Sequence, residues 1–162
     1  MTNLARSPAQ SADKSGPRDI VVEDVLPYPP ERLWRALTTS ELIGRWLMPN
    51  DFEPVVGKRF TFTTRPIGDW DGVVHCEVLE IEPPRRLVYS WKGGTDANNA
   101  KANYASRLDS VVTWTLQAEG NGTRLRMVHS GFRSPENDFA YDAMSSGWRR
   151  IVGRISEIAA AL

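Results

Sequence analysis

The feature that most constrains this chain is the periodicity of its C-terminal stretch. Met144, Trp148, Ile151, Ile155, Ile158 and Leu162 follow one another at intervals of four, three, four, three and four. That spacing sets an apolar stripe along one side of an α-helix running from about Asp138 to Leu162. A helix so one-sided is held by what it packs against, so the rest of the chain must offer it an apolar surface. Gly147 and Gly153 interrupt the pattern. Each weakens the helix by up to ~1 kcal/mol relative to alanine, a cost that close backbone packing would explain.

The surface is supplied by strands. Ile20–Leu26 is rich in β-branched residues, and Pro27, Pro29 and Pro30 end it. Pro30, Glu31 and the apolar set Leu33, Trp34 and Leu37 start a short helix. Ser40 is a plausible N-cap for a second, over Glu41–Leu47, with Leu42, Ile43, Trp46 and Leu47 on one side. Then come Lys58–Thr64, Trp70–Ile81, Arg85–Trp91, Ser110–Leu116 and Thr123–Ser130, separated by Gly, Pro and Asn signals. Phe60 and Phe62 share one face; so do Val112, Trp114 and Leu116, and again Leu125, Met127 and His129. Asn121-Gly122 marks a hairpin between the last two strands. The order of elements predicts an α+β domain in which a curved antiparallel sheet wraps the long C-terminal helix, with two short helices after the first strand. Six tryptophans in 162 residues supply bulky side chains to line a volume between them.

Composition narrows the functional classes. Twenty basic and twenty acidic residues balance, which removes any global attraction to nucleic acid or anionic membrane. No apolar run approaches the ~20 residues needed to span a bilayer, and membrane insertion is not expected. Residues 1–18 read as a disordered leader without a secretory signal, and 19–162 as the folded domain; cytoplasmic placement is the default expectation. The single cysteine, Cys76, cannot form an internal disulfide. Two histidines and one cysteine scattered over strands do not make a metal site, and no cofactor motif is present.

The chain also resembles a known family. Pro29–Thr38 (PPERLWRALT), Gly44-Arg45-Trp46, and Val78–Trp91 (VLEIEPPRRLVYSW) carry the likeness. Gly122–Leu125, Val128–Phe132 and the helix near Gly147-Trp148 extend it in the same order. These segments are similar to the activator-of-heat-shock-protein-90-ATPase homologues of the START/SRPBCC superfamily. The resemblance implies a helix-grip fold with a cavity between sheet and C-terminal helix. It does not imply one activity, because members include lipid carriers, aromatic cyclases and proteins without an assigned role. The chain departs from the pattern at Lys92–Asp109, a long polar connection expected to act as a mobile flap at the cavity mouth. It also corresponds only to the C-terminal type of domain of the eukaryotic co-chaperone activators, which weakens the activity in the family's name.

Three functional expectations follow. The first is binding of a small hydrophobic molecule, with Trp46, Phe60, Phe62, Trp114, Met127, His129, Phe132 and Trp148 as the cavity wall. Asn103 or Tyr104 from the long connection would help orient it. The second is an aromatase/cyclase-like enzyme, for which only His129, and His75 with Glu77, could move protons. No catalytic motif supports it. The third is a chaperone-interacting module. A second copy of the chain is an admissible partner, and Arg85-Arg86 and Arg149-Arg150 read as solvated faces. His129 itself admits two readings, a polar cavity wall or a hydrogen-bonded structural histidine.

Overall fold

The computed structural model describes residues 18–95 and 106–162. Strand β1 (Arg18–Leu26) leads into α1 (Pro30–Thr38) and α2 (Ser40–Trp46). Strands β2 (Arg59–Thr63), β3 (Val73–Glu82), β4 (Arg86–Gly93), β5 (Leu108–Glu119) and β6 (Gly122–Phe132) follow, and α3 (Asp138–Ala160) closes the chain. The six strands form one curved antiparallel sheet in the order β1-β6-β5-β4-β3-β2. The meander is therefore simple, and only β1 leaves sequence order, pairing along β6 from Asp19↔Ser130 to Leu26↔Thr123.

Alternation decides which side of each strand meets α3. On β5, Leu108, Ser110, Val112, Trp114 and Leu116 are buried while their neighbours are more open. On β6 the buried set is Leu125, Met127, His129 and Phe132. The shift from odd to even positions follows Gly131, whose φ of 109° turns the strand. A Cβ there would lie 2.8 Å from the Asp109 carbonyl oxygen, so the turn requires glycine. The β5–β6 turn also lies one residue earlier than Asn121-Gly122 suggests. Glu119 pairs with Gly122, so the two-residue loop is Gly120-Asn121, and Gly120 takes the positive φ of 59°. Gly122 is glycine for a different reason: a Cβ would run into the Leu26 carbonyl oxygen at the end of β1.

Two helical details also differ from the sequence reading. Thr39, not Ser40, is the N-cap of α2, and it makes no side-chain cap. The Ser40 hydroxyl instead donates toward Asn50, whose side-chain amide donates back to the Ser40 and Met48 carbonyls. This knot fixes the path from α2 into β2. On α3, the fully buried line is Ala140, Trp148, Val152, Ile155 and Ala159. Met144, Ile151, Ile158 and Leu162 flank it as half-buried side chains. The helix is thus rotated relative to its bulkiest stripe, and its backbone comes nearest α1, α2 and β1.

Candidate functional site

His129 is the one histidine of the inner face, and it is wholly buried. Trp148 Nε1 of α3 lies 3.0 Å from its Nδ1, and Ser110 Oγ of β5 lies 2.8 Å from its Nε2. An indole N–H can only donate, so Nδ1 must accept and the neutral ring carries its proton on Nε2. That proton goes to Ser110 Oγ, which in turn donates to the Trp91 carbonyl oxygen at 2.7 Å. The relay runs from helix to β6 to β5 to β4, and every ring valence in it is used. Burial lowers the pKa of His129 to about 3, so the ring is neutral at ordinary pH. Of the two readings of this residue, the structural one describes its geometry.

The other seven expected wall residues surround this relay as solid packing. Trp46, Phe60, Phe62, Trp114, Met127, Phe132 and Trp148 are all buried. Trp114 meets Trp46 and Trp148 edge-on, with centroids 5.6 and 5.8 Å apart. Trp91 meets Trp148 at 5.7 Å, and His129 meets Phe132 at 4.6 Å. Polar tips are matched: Trp46 Nε1 donates to the Ala36 carbonyl and Trp114 Nε1 to the Tyr89 hydroxyl. Edge-to-face stacking of this kind packs these side chains against one another on the inner face of the sheet.

A groove of about 250 Å³ lies beside that core. One wall is α3, through Ala143, Met144, Gly147, Trp148, Arg150 and Ile151. The other is Val74 of β3, Trp91 of β4, and Thr64, Ile67 and Trp70 of the β2–β3 connection, with Leu47 and Met48 after α2 at one end. Of the eight expected wall residues, Trp148 is the one that lines it. Three indoles and seven aliphatic or thioether side chains make the lining apolar, and Arg150 is its one charged member. Gly147 faces this space: a Cβ built there meets nothing within 4 Å. Gly153 is equally free, so neither glycine serves close packing. Gly147→Ala should therefore raise stability by up to ~1 kcal/mol, read as a higher urea midpoint at unchanged slope. A lower midpoint would mean that the space above Gly147 is not open.

The comparisons with known proteins bear on this architecture. The family model described as Activator of Hsp90 ATPase homolog 1-like protein matches residues 27–160. The chain belongs to that family. Among solved structures, protein MLL2253 from Mesorhizobium loti is 43% identical, with a TM-score of 0.75 over 87% of this chain and 96% of its own. Protein BH1534 from Bacillus halodurans is 28% identical, with a TM-score of 0.69 over 88% of this chain and 96% of its own. CalU16 from Micromonospora echinospora, at 24% identity and a TM-score of 0.67 over 88% of this chain and 76% of its own, shares the fold. No curated protein matches.

The remaining candidates of this Hsp90-activator-like domain lie away from the groove. His75 is exposed and Glu77 half-buried; both point to the outer face of the sheet, opposite Val74, Cys76 and Val78. They belong to a mostly polar trough of about 430 Å³ with Asp51, Arg59, Thr61, Ser90 and Lys92, to which the expected wall residue Phe60 and Cys76 also contribute. Although larger than the groove, this trough is bordered by solvated charges, with Arg59 3.8 Å from Glu77, and offers an apolar molecule little. Cys76 is buried, and its thiol is pushed well above the usual range by burial and by Asp51. Among the described residues, then, neither histidine presents a proton-transfer group to the groove. No cluster of three metal-ligating side chains occurs among them either, and no helix is long and apolar enough to cross a membrane.

The Lys92–Asp109 connection is shorter than its composition suggests. Strand β4 runs to Gly93, β5 begins at Leu108, and Thr95 bridges Ser106. A Cβ at Gly93 would lie 3.7 Å from Trp70 Nε1, so the base of the connection adjoins the groove. Residues 96–105, with Asn103 and Tyr104 and the flap expected there, lie outside the described residues.

Proposed function

We propose that this chain binds a small, predominantly apolar molecule in the groove between α3 and the β3–β4 side of the sheet. The observation that carries this reading is the open space over Gly147. A mid-helix glycine costs stability and here serves no close backbone contact. What it does is leave one wall of an indole-lined groove without a side chain. The groove is slightly smaller than the ~300–1,000 Å³ of drug-sized sites, which fits a ligand of about eight to ten non-hydrogen atoms. Binding would be driven by burial of apolar surface, at roughly 25 cal/mol per Å² before the cost of immobilising the ligand.

The test is a plug. Gly147→Phe places an aromatic ring into the open space without touching the His129 relay. Octan-1-ol, a neutral molecule of about nine non-hydrogen atoms, serves as the ligand within that size range. It should perturb indole fluorescence in the wild-type chain, since Trp70, Trp91 and Trp148 line the groove. In Gly147→Phe the saturable response should fall by tenfold or more in affinity, about 1.4 kcal/mol. A wild-type signal that does not saturate, or one equal in the plugged variant, would overturn the reading.

A further inference from the structure

We infer that the groove selects an apolar molecule bearing one anionic group, such as a short-chain or aromatic carboxylate, and that Arg150 is its receptor. This inference rests on the groove being the ligand site. Arg150 is the single charged side chain in a lining otherwise built from tryptophan, methionine and aliphatic residues, with Thr64 as a second polar group. No acidic side chain lines the groove to oppose an incoming anion.

The guanidinium is also uncommitted. Seven of the fifteen described arginines, Arg18, Arg45, Arg59, Arg85, Arg86, Arg107 and Arg124, have a carboxylate within ion-pair distance, and Arg150 is among the eight that do not. Arg150 has no ion-pair or hydrogen-bond partner among the described residues, yet it stands at the lip of an apolar space. Its neighbour Arg149 is exposed as well but does not line the groove. A guanidinium presents a planar fork of donors that matches a carboxylate in two parallel hydrogen bonds. An apolar tail laid against Trp70, Trp91 and Trp148 with its carboxylate at Arg150 would satisfy both kinds of lining. The rim position keeps the charge partly in water, so the selectivity is moderate and weakened by salt.

Octanoate and octan-1-ol share a tail and differ in head group. Titrated at pH 7.5 and low ionic strength, octanoate should bind the wild-type chain about fivefold to tenfold more tightly than octan-1-ol. Arg150→Gln should abolish that preference, so that octanoate and octan-1-ol bind the variant equally, whereas Arg149→Gln should leave the preference intact. Salt at 0.5 M, where the Debye length falls to roughly 4 Å, should reduce the preference in the wild-type chain. Equal binding of acid and alcohol to the wild-type chain would overturn the anion selectivity while the groove reading stands. A preference that survives in Arg150→Gln would remove Arg150 as the receptor. Failure of both ligands to bind would instead defeat the groove reading itself.

Discussion

His129→Ala is expected to cost about 3–5 kcal/mol of folding stability, and the loss should dwarf any effect on ligand affinity. Two terms combine. Truncating a wholly buried imidazole leaves a cavity among Trp91, Phe132 and Trp148, whose rings now touch it. It also strands the Trp148 indole N–H, which has His129 Nδ1 as its acceptor. A buried donor without a partner costs about 1–3 kcal/mol. Ser110 suffers less, since its hydroxyl keeps the Trp91 carbonyl as acceptor.

A double-mutant cycle separates the two terms. His129→Leu refills most of the volume but still strands the indole; Trp148→Phe removes the donor but leaves Nδ1 bare. Removing both partners together leaves neither group unsatisfied, so the double variant should be more stable than the sum of the single losses by about 1–2 kcal/mol. Strict additivity in urea unfolding would mean that the contact does not tie α3 to the sheet.

How much of this was legible in the sequence differs between the sheet and the site. The β5 and β6 alternation placed Trp114, Met127 and His129 on the inner face, because a strand has a period of two and one polar neighbour suffices to orient it. The helix was less readable. Trp148 and Ile155 of the predicted stripe do belong to the buried line, but Ala140, Val152 and Ala159 complete it, and the smaller side chains among them carry little periodic signal. The turn at Gly120-Asn121 illustrates a similar ambiguity. Three consecutive residues, Gly120, Asn121 and Gly122, all suit turns, and only the clash with Leu26 shows why the last belongs to the strand.

The site was harder, for a physical reason. Aromatic residues on an inward face are equally suited to lining a cavity and to filling it, and the choice depends on whether their edges and faces interlock. Here they interlock from Trp46 through Trp114 to Trp148. The groove wall mixes residues outside any expected element, Met48 and Ile67, with Leu47 and Trp70, which the sequence put at element ends and the structure leaves just outside them, and with Met144, Trp148 and Ile151 of the helix stripe. Gly147 was visible but read as close packing, because a sequence does not say what stands opposite a missing side chain. The solid core and the open groove are thus products of the same aromatic supply. A rigid relay at His129 anchors α3 at Trp148, and the indole of that same residue forms part of the groove wall.

The burial that anchors the helix should also make the protein sensitive to acid in a defined window. The folded chain holds His129 with a pKa lowered to about 3, against about 6.5 once the ring is free in the unfolded chain. Between those values the unfolded state binds the proton and the folded state does not. Stability from this residue is therefore complete above pH 6.5, falls as the pH drops below it, and levels off only near pH 3. From pH 7 to pH 5 the expected loss is about 2 kcal/mol. His75 is the only other histidine of the chain, and ordinary carboxylates titrate mainly below pH 5, so the comparison is made between pH 7 and pH 5. His75→Gln should accordingly retain the full loss in urea midpoints between pH 7 and pH 5. His129→Leu, already destabilised, should show almost none. A wild-type chain equally stable at both pH values would mean that His129 reaches water or a compensating anion, and the relay with Trp148 and Ser110 would not describe the folded state.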